Sequence, residues 1–236
     1  MFVIKIENTD VYGWEAAIRG ARNPMNSWDK SDSLWTNGYV DNDHTTVQCA
    51  GEYNEFQVGP NDKKLLQSLA NAGPDHGKFL RMITVSLDIT APLYWWKEFD
   101  TYKVGTVANS CSTMHKIHAK EFELDDFSHE HLFDGIDRLE GEYDMEYYEN
   151  PTTCLDYTIR VLNYYRNKFI ETKDKRYWWQ LIQLLPTSYN QRRTVLLNYQ
   201  VLKTMYHARK NHKLDEWRKF CFWIETLPYS ELITDG

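Results

Sequence analysis

Phe2, Ile4 and Ile6 alternate with polar residues at the start of the chain, and this period of two predicts a short strand with one buried face. From Gly13 to Arg22 the apolar positions take helical spacing. Asn23-Pro24 stops that helix, because a proline disfavours the helical conformation in the residue before it. Polar residues from Asn26 to Asp43 predict a loop, and long loops in compact proteins usually have a use. Asn61 or Asp62 can cap a helix over KKLLQSLANA that ends at Gly73. Phe79, Ile83, Val85, Leu87 and Ile89 then fall mostly on one face of a half-buried strand. Pro92 opens an aromatic-rich helix, PLYWWKEFDTYK, at a position where its missing N–H costs nothing. Val104 to His118 shows no assignable pattern.

The second half of the chain changes character. The acidic segment from Glu121 to Glu149 reads as a solvated face or loop, since like charges repel and stay wet. Helical patterns follow over Thr153–Lys173, Lys175–Leu185, Gln191–Lys210 and Leu214–Thr226, the last ending before Pro228. This order predicts an α+β fold: an antiparallel or mixed sheet from the N-terminal half, packed with a layer of long helices from the C-terminal half. There is no repeat and no Gly/Ser-rich linker, so residues 1–236 are expected to form a single domain.

A net charge of −7 argues against a protein that works by neutralising nucleic-acid phosphates, which needs clustered Lys and Arg. No stretch has the length of apolar sequence a membrane span requires. Cys49, Cys111, Cys154 and Cys221 show no Cys-x-x-Cys spacing, and MFVIKIENTD has no charged head before a long apolar run. A soluble protein of the reducing cytoplasm is expected. Nine tryptophans and sixteen tyrosines suit either a thick aromatic core or flat ligands stacked on rings. Trp95-Trp96 and Trp178-Trp179 are each expected to put one ring in the core and one near the surface, with flavin or base stacking as the alternative.

On the predicted helix Gln191–Lys210, the apolar stripe is Val195, Leu196, Tyr199, Leu202, Met205 and Tyr206, and Arg209 lies on the same face. A guanidinium pointing at the core needs an anionic partner, either an internal carboxylate or a bound phosphate or nucleobase. His115 and His118, and His129 and His131, have spacings that two metal ligands could use, but nothing completes a four-ligand site, so no metal is expected. The run Ser110-Cys111-Ser112-Thr113 has only His115 as a base nearby, and a cap or turn is the alternative. Neither Gly-x-Gly-x-x-Gly nor a Gly-Lys-Ser/Thr phosphate loop occurs.

From His76 to Thr113 the sequence resembles the flavin-dependent thymidylate synthases. The match runs from that family's flavin-contacting histidine, at His76, through a strand and Ala91-Pro92. It ends on the signature R-H-R-x-x-S-x-N-E-x-S-x-R, aligned without a gap on Thr101-Tyr102-Lys103-Val104-Gly105-Thr106 and on through Ala108, Asn109, Cys111 and Thr113. The family's C-terminal pattern is similar to Leu185-Pro186, Asn198, Leu202, Arg209 and His212-Lys213-Leu214-Asp215-Glu216-Trp217-Arg218. The resemblance implies a homotetramer with FAD held between subunits, methylating dUMP or modifying a related pyrimidine nucleotide at C5, with methylenetetrahydrofolate and NADPH as co-substrates. It implies cofactor contacts from His76, Lys103 and Asn198, and nucleotide contacts from Arg209, Cys111 and Thr113.

Several letters differ. The signature's arginines stand as Thr101, Lys103 and Thr113, its glutamate as Asn109 and its serine as Cys111, and a further nucleotide-binding arginine stands as Ile182. Each lost guanidinium removes charge-assisted hydrogen bonds worth about 1.5–3 kcal/mol. Either Lys103, Arg192, Arg193 or another basic group rebuilds the site, or the chain is a non-catalytic homologue that keeps the fold and oligomer as a nucleotide- or protein-binding module.

Overall fold

The computed structural model describes residues 4–39, 52–133 and 150–235. In chain order its elements are β1 (Lys5–Tyr12), α1 (Trp14–Arg22), β2 (Leu34–Tyr39), β3 (Glu52–Gln57), α2 (Pro60–Asn71), β4 (Thr84–Pro92), α3 (Leu93–Phe99) and β5 (Val107–Ser110). There follow α4 (Pro151–Thr172), α5 (Lys175–Leu184), β6 (Asn190–Asn198), α6 (Tyr199–Arg209), α7 (Asp215–Glu225) and α8 (Glu231–Thr234). The fold is α+β. Four strands form one antiparallel sheet in the order β1-β4-β6-β5, and β2 pairs with β3 in a separate hairpin.

Period two explains the sheet. Val85, Leu87, Ile89 and Ala91 of β4 and Val195 and Leu197 of β6 point to one face and are buried. Helices α1, α2, α3, α6 and α7 cover that face, contributing Ile18, Leu66, Trp95, Trp96, Leu202, Trp217 and Phe220 to one continuous core. The other face carries Arg192, Thr194 and an exposed Leu196. A smaller cluster joins Leu155, Ile159 and Leu162 of α4 and Leu181 of α5 to Ile117, Phe122 and Phe127. At the sheet's edges β5 is four residues long, and β1 breaks register between Glu7 and Asp10, where Asn8 takes φ 52°.

Several expectations change. Gln191–Lys210 is not one helix: residues 190–198 form the interior strand β6, hydrogen-bonded to β4 on one side and β5 on the other. The apolar stripe suits a helix, but Thr194 and Val195 are β-branched, and pairing along all of β4 overrides a short helical pattern. The sheet's interior therefore draws a strand from the C-terminal half. The predicted loop Asn26–Asp43 contains β2, braced by Trp35 edge-on to Phe56 at 5.2 Å, and Val40 to Asp43 lie outside the described residues. Phe79 sits in a 3-10 turn before β4 rather than in the strand, and α3 stops at Phe99. The unassigned stretch holds β5. The acidic segment is not wholly solvated, since Phe122 and Phe127 are core residues; 134–149 lie outside the described residues. Trp95 and Trp96 are both fully buried, whereas Trp178 is partly buried and Trp179 exposed.

Candidate functional site

A cleft of about 560 Å³ opens where the segment after α3 passes the junction of β6 and α6. Thr101 to Gly105 form one wall, Asn198, Gln200 and Thr204 another, and Arg81 enters from the turn before β4. The junction is built by Asn198. Its backbone is still extended (φ −132°, ψ 164°), as the last residue of β6, and its side-chain oxygen accepts from Val201 N at 3.0 Å, which caps the helix that begins at Tyr199. With the oxygen so used, the amide nitrogen faces Gly105.

Gly105 takes φ +83°, and a Cβ built there would lie 2.7 Å from Asn198 Nδ2 and 3.0 Å from Val201 Cγ2. Glycine is thus needed twice, for the left-handed backbone and for the close approach. Gly105→Ala is expected to lower unfolding free energy by about 1–3 kcal/mol and to push Asn198 off its cap. Gly73→Ala is the control, because Gly73 has φ +99° but nothing within 4 Å of a built Cβ. Denaturant unfolding should show the larger loss at Gly105.

Arg209 faces inward, and the structure fills its need for an anion internally. Nη1 donates to Glu98 Oε2 at 2.7 Å and Nε to the Tyr102 hydroxyl at 2.9 Å, with the guanidinium 4.8 Å above the Trp217 ring. Glu98 also accepts from Trp217 Nε1 at 3.0 Å. Arg209 thus has the anionic acceptor that its inward position demands, although Val195 and Leu196 of the predicted stripe belong to β6 and not to the helix. The effect on the cleft is indirect: Arg209 holds the Tyr102 wall in place. Sequence spacing gives no sign of Glu98 as partner, since it lies 111 residues away.

The structure brings Lys103 and Asn198 to the same cleft. His76 is not among the residues that line it; its neighbour Gly77 approaches Gln200, where a built Cβ would lie 3.7 Å from Oε1. Cys111 and Thr113 are not brought there. Cys111 N donates to Arg192 O at 2.9 Å, and Gln191 Nε2 donates to Cys111 O at 2.8 Å. That point is six residues along β6 from Asn198, about 20 Å at strand rise. Ile182 packs against the smaller hydrophobic cluster.

Neither suggested replacement guanidinium is free. Arg192 donates to Asp88 Oδ2 at 2.7 Å, and Arg193 to Asp100 Oδ1 at 2.7 Å while lying 4.2 Å over the Trp96 ring. Hydrogen bonds from Thr194, Arg192 and Asn8 hold the Asp88 carboxyl well below the usual carboxylate range. The histidine pairs are separated in use. His118 stands edge-on to Phe169, with burial lowering its pKa, and His131 pairs with Asp215 at 3.2 Å. Among the described residues no three His, Cys, Asp or Glu groups gather as a metal site, and no helix is long and apolar enough to cross a membrane.

No family model matches the sequence, and no curated protein matches it. Solved structures do. A flavin-dependent thymidylate synthase ThyX from Helicobacter pylori, complexed with FAD and dUMP, superposes with a TM-score of 0.64 at 16% identity, over 98% of this chain and 98% of that one. A second structure of thymidylate synthase X from Helicobacter pylori, with FAD and dUMP, gives 0.62 at 15% identity, over 98% and 96%. At such identity the likeness speaks for architecture, and over nearly its whole length this chain has the fold of those flavin-dependent thymidylate synthases.

Proposed function

We propose that the chain is a divergent flavin-dependent thymidylate synthase-like enzyme, acting as one domain, that binds FAD and a pyrimidine nucleotide and methylates dUMP or modifies a related nucleotide at C5. The observation that carries this reading is the meeting of Lys103 and Asn198. They come from the two separate stretches that resemble the family, and they line one cleft. The residues fit a flavin nucleotide: two cations, two side-chain amides and a glycine-narrowed wall offer donors to phosphate and ring edges with no carboxylate among the lining groups. Lys103 and Asn198 would hold the cofactor, His76 would be the further contact that the resemblance implies, and Arg209 would act by bracing Tyr102. When bound, the flavin supplies the redox chemistry and the protein supplies position and electrostatics. Methylenetetrahydrofolate and NADPH are the co-substrates this reading calls for. A homotetramer is its expected assembly, which would let Cys111 and Thr113 serve a site completed by another copy.

A second reading is a non-catalytic homologue that keeps the fold for binding. It is favoured by the residues at the family's arginine positions, Thr101, Thr113 and Ile182, and by the carboxylates that already hold Arg192, Arg193 and Arg209.

Purified protein mixed with excess FAD and freed of the unbound fraction should retain the visible flavin bands, and Lys103→Ala should lose most of them. Retention followed by formation of dTMP from dUMP, methylenetetrahydrofolate and NADPH supports the enzyme. A spectrum with only the aromatic band in the wild type rejects the flavin reading.

A further inference from the structure

Eleven arginines occur in the chain and one, Arg138, lies outside the described residues. Of the others, Arg19, Arg22, Arg160, Arg176, Arg192, Arg193, Arg209 and Arg218 each hold a carboxylate, and Arg166 donates to His118 O. Among the described residues Arg81 alone has neither an ion pair nor a side-chain hydrogen bond, and it lines the cleft. Lys103, on the opposite segment, makes no ion pair among the described residues either. In a protein with net charge −7, two free cations in a cleft whose lining includes no Asp or Glu form a local field of the opposite sign.

We infer that Arg81 and Lys103 form a two-sided clamp for the phosphates of a nucleotide, with Arg81 replacing a guanidinium that the signature segment has lost at Thr101. Arginine's planar fork matches two phosphate oxygens at once, and lysine adds a point charge from the other side. The side-chain amides of Asn198 and Gln200 line the same cleft as neutral donors. This deepens the flavin reading by naming the group that the cleft grips, and it places the decisive cation on the turn before β4, outside the signature.

The probe is inorganic pyrophosphate, titrated calorimetrically at low salt into wild type, Arg81→Ala, Arg81→Lys, Lys103→Ala and, as a control for general charge, Arg160→Ala. Arg81 is exposed, so its replacement should leave folding intact. The clamp predicts binding to wild type, a loss of at least about tenfold in Arg81→Ala and in Lys103→Ala, partial recovery in Arg81→Lys, and no change in Arg160→Ala. A parallel titration compares FAD with riboflavin, which has no phosphate; Arg81→Ala should weaken FAD and leave riboflavin unchanged. No pyrophosphate binding by wild type, an Arg81→Ala variant that binds as wild type does, or an equal loss in Arg160→Ala overturns the clamp. Pyrophosphate binding that depends on Arg81, in a protein that takes up neither flavin, upholds the clamp and rejects the flavin reading. FAD binding indifferent to Arg81 does the reverse.

Discussion

Asp62→Ala is expected to lower unfolding free energy by about 3–5 kcal/mol, the usual cost of stranding a buried charge. Arg22 and Asp62 are 5% and 0% exposed, and Arg22 Nε donates to Asp62 Oδ1 at 2.5 Å. The pair ties together three segments. Arg22 at the end of α1 also donates to the carbonyls of Ser27 and Lys30, while Asp62 in the first turn of α2 accepts from the Ser31 and Ser33 hydroxyls and the Ser33 amide. With Asp62 gone, the guanidinium has only neutral oxygens and the 27–33 segment loses its anchor. Asp62→Asn tests charge against shape and should recover little, because an amide supplies donors where acceptors are needed.

A pH dependence follows with a definite sign. Burial pushes the Asp62 carboxyl up, but hydrogen bonds from Ser33, Ser31 and Arg22 outweigh it, and the carboxyl sits below its ordinary value. A group whose pKa is lower folded than unfolded contributes stability that is fully present above the unfolded value and is lost as pH falls through the folded one. Acid unfolding of the wild type should therefore take up a proton at this site below about pH 4, and Asp62→Ala should show a shallower stability loss there. An Asp62→Ala variant with wild-type stability and pH profile would contradict the reading of this pair.

Trp95→Ala is expected to cost about 3–5 kcal/mol, as for other large aromatic deletions in cores. Trp95 is fully buried, and its ring centroid lies 4.9 Å from those of Trp96 and Trp217, 5.1 Å from Phe99 and 5.7 Å from Phe220. Its removal opens a void at the contact of α3 with α7, directly behind the Glu98–Arg209–Tyr102 network. The finer expectation separates two adjacent indoles. Trp96 Nε1 donates to Gln191 O at 2.8 Å and its ring carries Arg193, whereas Trp95 Nε1 has no hydrogen-bond partner among the described residues. Phenylalanine at 95 removes an unpaired buried donor along with some volume, while phenylalanine at 96 strands a carbonyl and weakens a cation–π contact. Trp96→Phe should be the more destabilising by about 1 kcal/mol or more, measured by denaturant unfolding of both variants.

The parts of the fold legible in sequence are those with a clean period and a punctuating residue. Helix α1 is legible because its apolar positions keep helical spacing up to Asn23-Pro24, where the α-helix passes into a 3-10 turn with Asn23 still helical, and β4 because Val85, Leu87 and Ile89 alternate without interruption. Strand β6 is not, because its partners lie about a hundred residues away. Nothing local to QRRTVLLN says that β4 will pair with it, and its last residues run into a true helix with a compatible stripe. For the cleft, the resemblance picks Lys103 and Asn198 out of two distant segments, and the structure sets them together. Arg81 carries no sequence signal, since an exposed arginine in a turn is ordinary until every other described arginine is seen to be occupied. Cys111 and Thr113 follow from a linear alignment, which cannot say that strand β5 carries them to the other end of β6.

Both edges of the four-stranded sheet are blunted, β5 by its length and β1 by the break at Asn8. A strand edge offers unpaired amides and carbonyls as a template for another chain, and a four-residue edge or a kinked one is a poor template. Copies of this chain can therefore crowd together without extending one another's four-stranded sheets, and contacts made through that sheet depend on the side chains of its faces.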